Sequence, residues 1–482
     1  MKKWLQWRFN IKGNAPPPSV GTAQPYGCFN TSQQGEWGKW FEKWVRRSIT
    51  YTGFTLAFVL VVLLSPVLLP LSLGFDCVTN RDFPYTRILL FFLLYLFNEM
   101  LAIYVFGLGL YLTSVLFGWD QQQWRTWVFT LQHVWGARLL AGPCLKVMGL
   151  RVCAEGVELV KRSDNGTQKA SSSLKERPFL LFLRHNSTGD TLLPQYFFSD
   201  QYRMRYILKK ELCWDAGLDT MGSRTPNFFL SRMAGPKAMS LELKAMQDLL
   251  SDYNDPAAAN IITCIWPEGT RFESKKRKRI LQKLREEAEM NDKTEKKEDE
   301  EQVMSAEEML RRTEALKHTL PPRLGGALAL LEKNASLLSS PRRTKEDMDR
   351  STSQQKEEDI AADILFCAHT GFELARSFWD LKNGRLVGET IYVKFWRVPF
   401  EQVPTTRLER SRWLFDQWQE MDQWIDEKIQ QRRHLHHKHH HGDVETQAKG
   451  TLNSNNKAGR GGGAGKQKTS LRKTIRKIEK LK

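Results

Sequence analysis

Two long apolar runs near the start of the chain restrict its fold more than any other feature. Residues 54–75 are almost wholly apolar, with Pro66 and Pro70 inside, and residues 88–119 are apolar around Asn98 and Glu99. About 20 apolar residues suffice for a helix to span a bilayer. The pair either spans twice or forms a helical hairpin dipping into one leaflet. A buried helical pair of a soluble protein fits less well, because charge hardly punctuates either run. A carboxylate inside a membrane helix is costly, so Glu99 is expected to face protein, water or a headgroup layer. Ahead of the runs, Trp40, Phe41 and Trp44 alternate with Lys39, Lys43, Arg46 and Arg47. That is an amphipathic helix with interfacial anchors, and its basic residues put the N-terminus on the cytosolic side. Residues 1–37 have a basic start without an adjacent apolar core, which is not a secretory signal; Trp4 and Trp7 fit a segment touching the interface. Residues 119–135 read as a further helix at the interface.

Beyond residue 150 the pattern changes to short apolar runs closed by polar turns. Residues 179–183 are Phe-Leu-Leu-Phe-Leu after Pro178, the pattern of a buried strand. Arg184 and His185 follow, then Asp190. Strand ends are where open α/β sheets place their chemistry. Asn186 to Gly189 form a tight polar turn that can bring Asp190 back against the imidazole. A carboxylate on one ring nitrogen fixes the tautomer and makes the other nitrogen a better base. The plainer reading of the same residues is a capped turn. Residues 261–272 repeat the design: an apolar strand, then Pro267, Glu268, Gly269, Thr270 and Arg271.

The histidine and aspartate separated by four residues, followed downstream by Pro-Glu-Gly-Thr-Arg, resemble the signature of the glycerolipid acyltransferase family. Its best-known members are the 1-acylglycerol-3-phosphate acyltransferases. The resemblance, over about residues 150–398, implies an α/β fold. That fold is a mixed sheet flanked by helices, of the glycerol-3-phosphate acyltransferase type, with an N-terminal membrane-embedded helical pair. It implies transfer of an acyl group from acyl-CoA, a co-substrate rather than a cofactor, to a lysophospholipid hydroxyl. The first acceptor is 1-acylglycerol-3-phosphate, giving phosphatidic acid; another lysophospholipid or glycerol 3-phosphate is the alternative. His185 would be the base and Asp190 its orienting partner. Arg271, Arg232 and a lysine at 209 or 210 would bind the acceptor phosphate, and Glu268 a glycerol hydroxyl. Backbone amides near Gly269 and Thr270 suit an oxyanion. Pro226 stands where the family's second block has glycine, and the Val-Pro pair many members carry near residues 363–372 is missing. His369 reads as structural and Ser187 as a turn residue. No GxSxG elbow is present, which weakens a serine-hydrolase reading. A membrane-bound acyl-thioester or lysolipid hydrolase and an inactive basic membrane adaptor remain as alternatives of other classes. The presence of His185, Asp190, Glu268 and Arg271 speaks against the adaptor. No metal site and no specific nucleic-acid partner are expected.

The remaining pattern sets the expected boundaries. Residues 1–50 form a basic, tryptophan-containing segment, 51–135 a membrane-associated helical region, and 136–432 the catalytic domain. Residues 433–482 are a low-complexity tail, histidine-rich and then basic. Residues 274–316 and 334–361 read as polar insertions, charged and without a core-facing period, hence dispensable for chemistry. Residues 390–398 alternate as an edge strand does. Residues 406–434 predict a helix opened by a Thr406–Glu409 capping box, with Leu414, Trp418, Met421 and Ile425 as its apolar stripe. The net charge of +18 suits membrane phospholipid headgroups or a phosphorylated substrate. Seven scattered cysteines without a CxxC pair argue against a disulfide framework and fit a reducing compartment. The expected location is the endoplasmic reticulum or another endomembrane, with the catalytic domain facing the cytosol.

Overall fold

The computed structural model describes residues 36–79, 82–160, 177–231, 236–253, 260–291, 304–338, 361–376 and 378–457. The expectations for Trp4, Trp7, residues 161–176, Arg232 and the tail beyond 457 lie outside them.

The apolar runs form two helices. The first, α1 (Glu36–Thr79), passes without a break through Pro66 and Pro70. The second, α2 (Pro84–Met100), continues through a π-helical stretch, Leu101–Gly109, into Leu110–Leu116. Both are long and apolar enough to cross a membrane. Leu56, Leu63 and Leu71 of α1 are each more than 60% exposed, which in water would be strongly unfavourable. Asp76, buried at the end of α1, accepts the Tyr85 and Thr86 amides at 3.2 and 2.8 Å and so satisfies the opening turn of α2. Glu99 faces protein: it accepts the Gly217 amide at 2.6 Å. Asn98 donates to Leu94 O and Leu139 O.

Two of the basic anchors expected at the interface turn inward instead. Arg46 and Arg47 pair with Asp219, at 3.0 and 2.7 Å, which ties α1 to the segment around residue 219. Trp40, Phe41 and Trp44 remain exposed on the same helix. Helix α3 (Gln121–His133) follows, capped by Asp120, and Trp119 stacks on Trp127. Trp135, placed in the interfacial stretch by sequence, is buried and donates to Asn98 O.

The domain that follows is built on a seven-stranded mixed sheet in the order β1-β7-β6-β2-β5-β3-β4. Its strands are β1 (Arg151–Glu155), β2 (Phe179–Leu183), β3 (Arg203–Lys209), β4 (Phe228–Leu230), β5 (Ile261–Ile265), β6 (Asp363–Thr370) and β7 (Thr390–Val398). All neighbouring pairs are parallel except β6–β7. The central strand, β2, lies between β5 and β6, and every residue of all three is buried. Burial on both faces is why they read as continuous apolar runs. Strand β7 is not an edge: β1 covers its outer side. Its alternation reflects one better-covered face, not an open edge.

The helices of this domain include α4 (Leu193–Phe198), α5 (Ala216–Gly222), α6 (Pro236–Asp248), α7 (Ser274–Asn291), α8 (Ala306–Ala315), α9 (Leu324–Leu338) and α10 (Arg407–Lys457). At the start of α10, Thr406 Oγ1 accepts the Glu409 amide and donates to the Glu409 carboxylate. The predicted stripe of Leu414, Trp418, Met421 and Ile425 is wholly buried. Residues from Glu427 onward form a separate unit.

The first insertion is ordered where it is described. Leu281 and Leu284 of α7 are buried with Met304 and Leu316, and Arg277 donates to Leu316 O at 2.7 Å. Its core-facing positions are simply few, one apolar residue per turn among charges. The second insertion starts later than expected. Asn334 lies inside α9 and exchanges two hydrogen bonds with the Ala362 backbone. Among the described residues, Cys77, Cys144, Cys153, Cys264 and Cys367 are free.

Candidate active site

The site forms where β2 and β5 end side by side. The loop after β5 clasps His185 from both directions: its amide donates to Glu268 Oε1 at 3.0 Å, and its carbonyl accepts the Phe272 amide at 2.9 Å. The ring is 13% exposed, and its Nδ1 lies 3.2 and 3.3 Å from the two oxygens of Asp190. Asp190 is fully buried, and its Oδ2 also accepts the Asn186 and Ser187 amides at 2.7 and 2.8 Å. This explains the four-residue spacing: the chain must turn far enough to aim those amides back at the carboxylate. Burial alone would raise the carboxyl's pKa. The His185 charge and hydrogen bond, with His369 and the turn amides, bring it below the usual value instead.

Around this pair lies a polar frame that the motifs did not announce. His369 on β6 is fully buried; its Nε2 is 3.1 Å from Arg184 O and 3.6 Å from Asp190 Oδ2, and burial lowers its pKa. Arg184 is buried too, giving hydrogen bonds to Glu373 at 2.9 Å, His318 O at 2.8 Å and His369 O. Burial works against the Glu373 charge, but Arg184 outweighs it and holds the carboxyl at a pKa of about 2. An arginine beside the motif histidine was the one local hint. Ser187 donates to Ala375 O, consistent with a turn role.

The predicted binding residues divide. Arg271 does reach the site, with Nη1 donating to Thr188 Oγ1 at 2.9 Å and to Arg376 O at 2.6 Å. Glu268 is placed differently from a glycerol ligand. Both of its oxygens are taken by backbone donors, His185 N and Leu320 N, and burial pushes its pKa up to about 8. It acts as a clamp between loops. Gly269 has φ +66°, and a Cβ there would meet Arg323 Cδ at 2.9 Å, so the position needs glycine. Its amide donates to Trp266 O, which leaves the Thr270 amide as the candidate oxyanion donor of the two. Lys210 pairs with Glu42 of α1 at 2.9 Å, and Lys209 closes β3. Arg232 lies outside the described residues.

An apolar cavity of about 280 Å³ opens beside the turn. Thr188, Gly189 and Trp266 line it on the site side, and Phe91, Trp135 and Leu140 on the helical side. Among the described residues no cluster of metal-ligating side chains occurs.

Residues 151–294 match the family model described as Acyltransferase, a segment that contains both motifs. That segment is therefore similar to acyltransferase domains. A crystal structure of the 1-acyl-sn-glycerophosphate (LPA) acyltransferase PlsC from Thermotoga maritima aligns with 72% of this chain and 98% of its own. The identity is 13% and the TM-score 0.39. No curated protein sequence matches.

Proposed function

We propose that the chain is a membrane-bound enzyme that transfers a fatty acyl group from acyl-CoA to the hydroxyl of a lysophospholipid, 1-acylglycerol-3-phosphate first, giving phosphatidic acid. The observation that carries the mechanism is the His185–Asp190 contact through Nδ1. With Nδ1 donating to the carboxylate, Nε2 is left as the base. It takes the acceptor's hydroxyl proton as the oxygen attacks the thioester carbonyl. Asp190 steadies the imidazolium. The Thr270 amide suits the oxyanion. Collapse of the tetrahedral intermediate breaks the carbon–sulfur bond. The imidazolium proton passes to the leaving thiolate, so free coenzyme A and the new ester balance the reaction, and no covalent enzyme intermediate is needed.

The apolar cavity next to Thr188 supports the reading by offering an acyl chain a lining of matching polarity. Arg271 holds the acceptor phosphate. The exposed leucines of α1 keep the enzyme on a membrane, with the endoplasmic reticulum as the proposed site and the catalytic domain on the cytosolic side. Purified full-length protein, given labelled acyl-CoA and a panel of lysolipids, should form labelled diacyl product. Release of free fatty acid with water as acceptor would instead make it a hydrolase, and no turnover with intact folding would make it an adaptor.

A further inference from the structure

The segment that links α8 to α9 is gripped on one side by α10 and grips the site on the other. Asp422, on α10, is 3% exposed and accepts the amides of Lys317, His318 and Thr319 at 2.8, 2.7 and 2.8 Å. It also accepts the Thr319 hydroxyl at 2.9 Å. Four hydrogen bonds are about what a carboxylate can take. A buried carboxylate is costly unless such donors compensate it. The ammonium of Lys317 goes instead to Asp426, so backbone and hydroxyl donors do that work here. The other edge of the same segment meets the residues that close β2. Leu320 N donates to Glu268 Oε2 at 3.1 Å, and Glu268 Oε1 accepts the His185 amide at 3.0 Å. His318 O accepts Arg184 Nη2 at 2.8 Å. Two neighbouring residues, Arg184 and His185, are thus fixed by one four-residue strap.

We propose that Asp422 is a positioning residue for His185, acting through residues 317–320 and Glu268. The inference rests on the acyl-transfer reading above and extends its site to α10, well beyond the matched segment 151–294. Asp422 touches no reacting atom. It holds three consecutive amides in one place, and this fixes where the Leu320 amide and the His318 carbonyl stand. Those two groups fix the end of β2 and, with it, the contacts of 3.2 and 3.3 Å between His185 Nδ1 and Asp190. A general base works only while its free nitrogen stays within hydrogen-bond reach of the proton it takes. A misplacement of about 1 Å, even from a change far from the chemistry, can cost about a hundredfold in rate. Asp426, one turn further along α10, supplies the contrast. It pairs with side chains of the same strap, Lys317 Nζ at 3.2 Å and His318 Nε2 at 2.8 Å. Removing it leaves the amide contacts of Asp422 in place.

The test uses the full chain in lipid nanodiscs, with labelled acyl-CoA and 1-acylglycerol-3-phosphate. Asp422→Ala should lower kcat by about ten- to a hundredfold and leave both KM values within about twofold, because neither substrate loses a contact. Asp422→Asn should recover much of the loss, since its carbonyl oxygen can still serve the His318 and Thr319 donors. Asp426→Ala should lower kcat far less. In a Glu268→Gln background Asp422→Ala should cost less than in the wild type, because the route to His185 is already weakened. Hydrogen exchange read by mass spectrometry follows the coupling without any turnover. A peptide covering residues 184–190 should exchange faster in Asp422→Ala, and one covering β3 should not. If Asp422→Ala fails to fold, Asp422→Asn set against Asp426→Ala carries the same comparison at smaller amplitude. A rise in KM at constant kcat, equal losses in the two Glu268 backgrounds, or unchanged exchange at residues 184–190 would overturn the inference. Should the wild type transfer no acyl group, the acyl-transfer reading falls, and the exchange experiment still decides whether Asp422 positions His185.

Discussion

The turn at residues 184–190 and the α7–α8 hairpin are both rich in polar side chains, yet they hold them in opposite ways. In the turn, Arg184, Asn186, Ser187 and Asp190 are at most 2% exposed. In the hairpin, Lys283 is 76% exposed and the Arg285–Glu314 pair 56% and 46%. A buried polar group is normally matched by its neighbours, as the Arg184 Nη groups, the Ser187 hydroxyl and the Asp190 carboxylate are, whereas the Asn186 side chain has no partner among the described residues. An exposed one exchanges its partner for water at little cost. Charge density along a sequence therefore says little about which polar residues carry energy; the surrounding backbone donors decide it. The two regions meet at Lys276, on the hairpin's first turn and in contact with the Thr270 hydroxyl. Lys276 is thus the residue at which the expectation that residues 274–316 can be dispensed with is open to test.

The contrast is tested most severely at His185. His185→Ala should lower turnover by about a hundred- to ten-thousandfold at saturating acceptor, the usual worth of a general base. Membrane-inserted variant protein with near-normal turnover would remove the mechanism. Glu268→Gln comes next. The amide can accept one backbone N–H but points its own donors at the other, so about 1–3 kcal/mol of stability should be lost. The variant should also change a pH slope. The carboxyl has a pKa of about 8 in the folded protein against a reference of 4.5. The folded state thus binds more protons between those values, and stability from this group is full below 4.5 and falls as pH rises through 8. Glu268→Gln should flatten that decline. Unfolding midpoints in detergent from pH 5 to 9 measure it, and parallel curves for the two proteins would show that Glu268 does not titrate in this window.

Local pattern made some of this legible and left the rest hidden. Strands β2, β5 and β6 could be read because burial on both faces leaves apolar runs that need no partner to be recognised. The His185–Asp190 spacing was readable because a single turn makes the contact. The frame was not. Arg184 meets Glu373 and His318, and Glu268 meets Leu320, across long stretches of chain that leave no period behind. Lys210 could not be separated from Lys209 because its partner, Glu42, sits on α1. The hairpin was misjudged for a related reason. Leu281 and Leu284 are enough to bury one side of α7, but they are a small signal among lysines, arginines and glutamates.

The smallest effect belongs to the hairpin surface and is the most specific test of the contrast. Arg285 reaches Glu314 across the hairpin at 2.7 Å, a shorter contact than the 3.2 Å between His185 and Asp190. Distance alone would rank it the stronger. Both of its partners are largely exposed, so salt screens the attraction, and ordering two long side chains offsets much of what remains. Arg285→Ala should change stability by about 1 kcal/mol or less and leave turnover unaltered. The small difference should shrink further at high salt. A double-mutant cycle with Glu314→Ala, run by unfolding at low and high ionic strength, isolates the pair. A coupling above about 2 kcal/mol that persists in salt would show that the hairpin is held by its charges rather than by Leu281 and Leu284, and the distinction drawn between the two regions would fail.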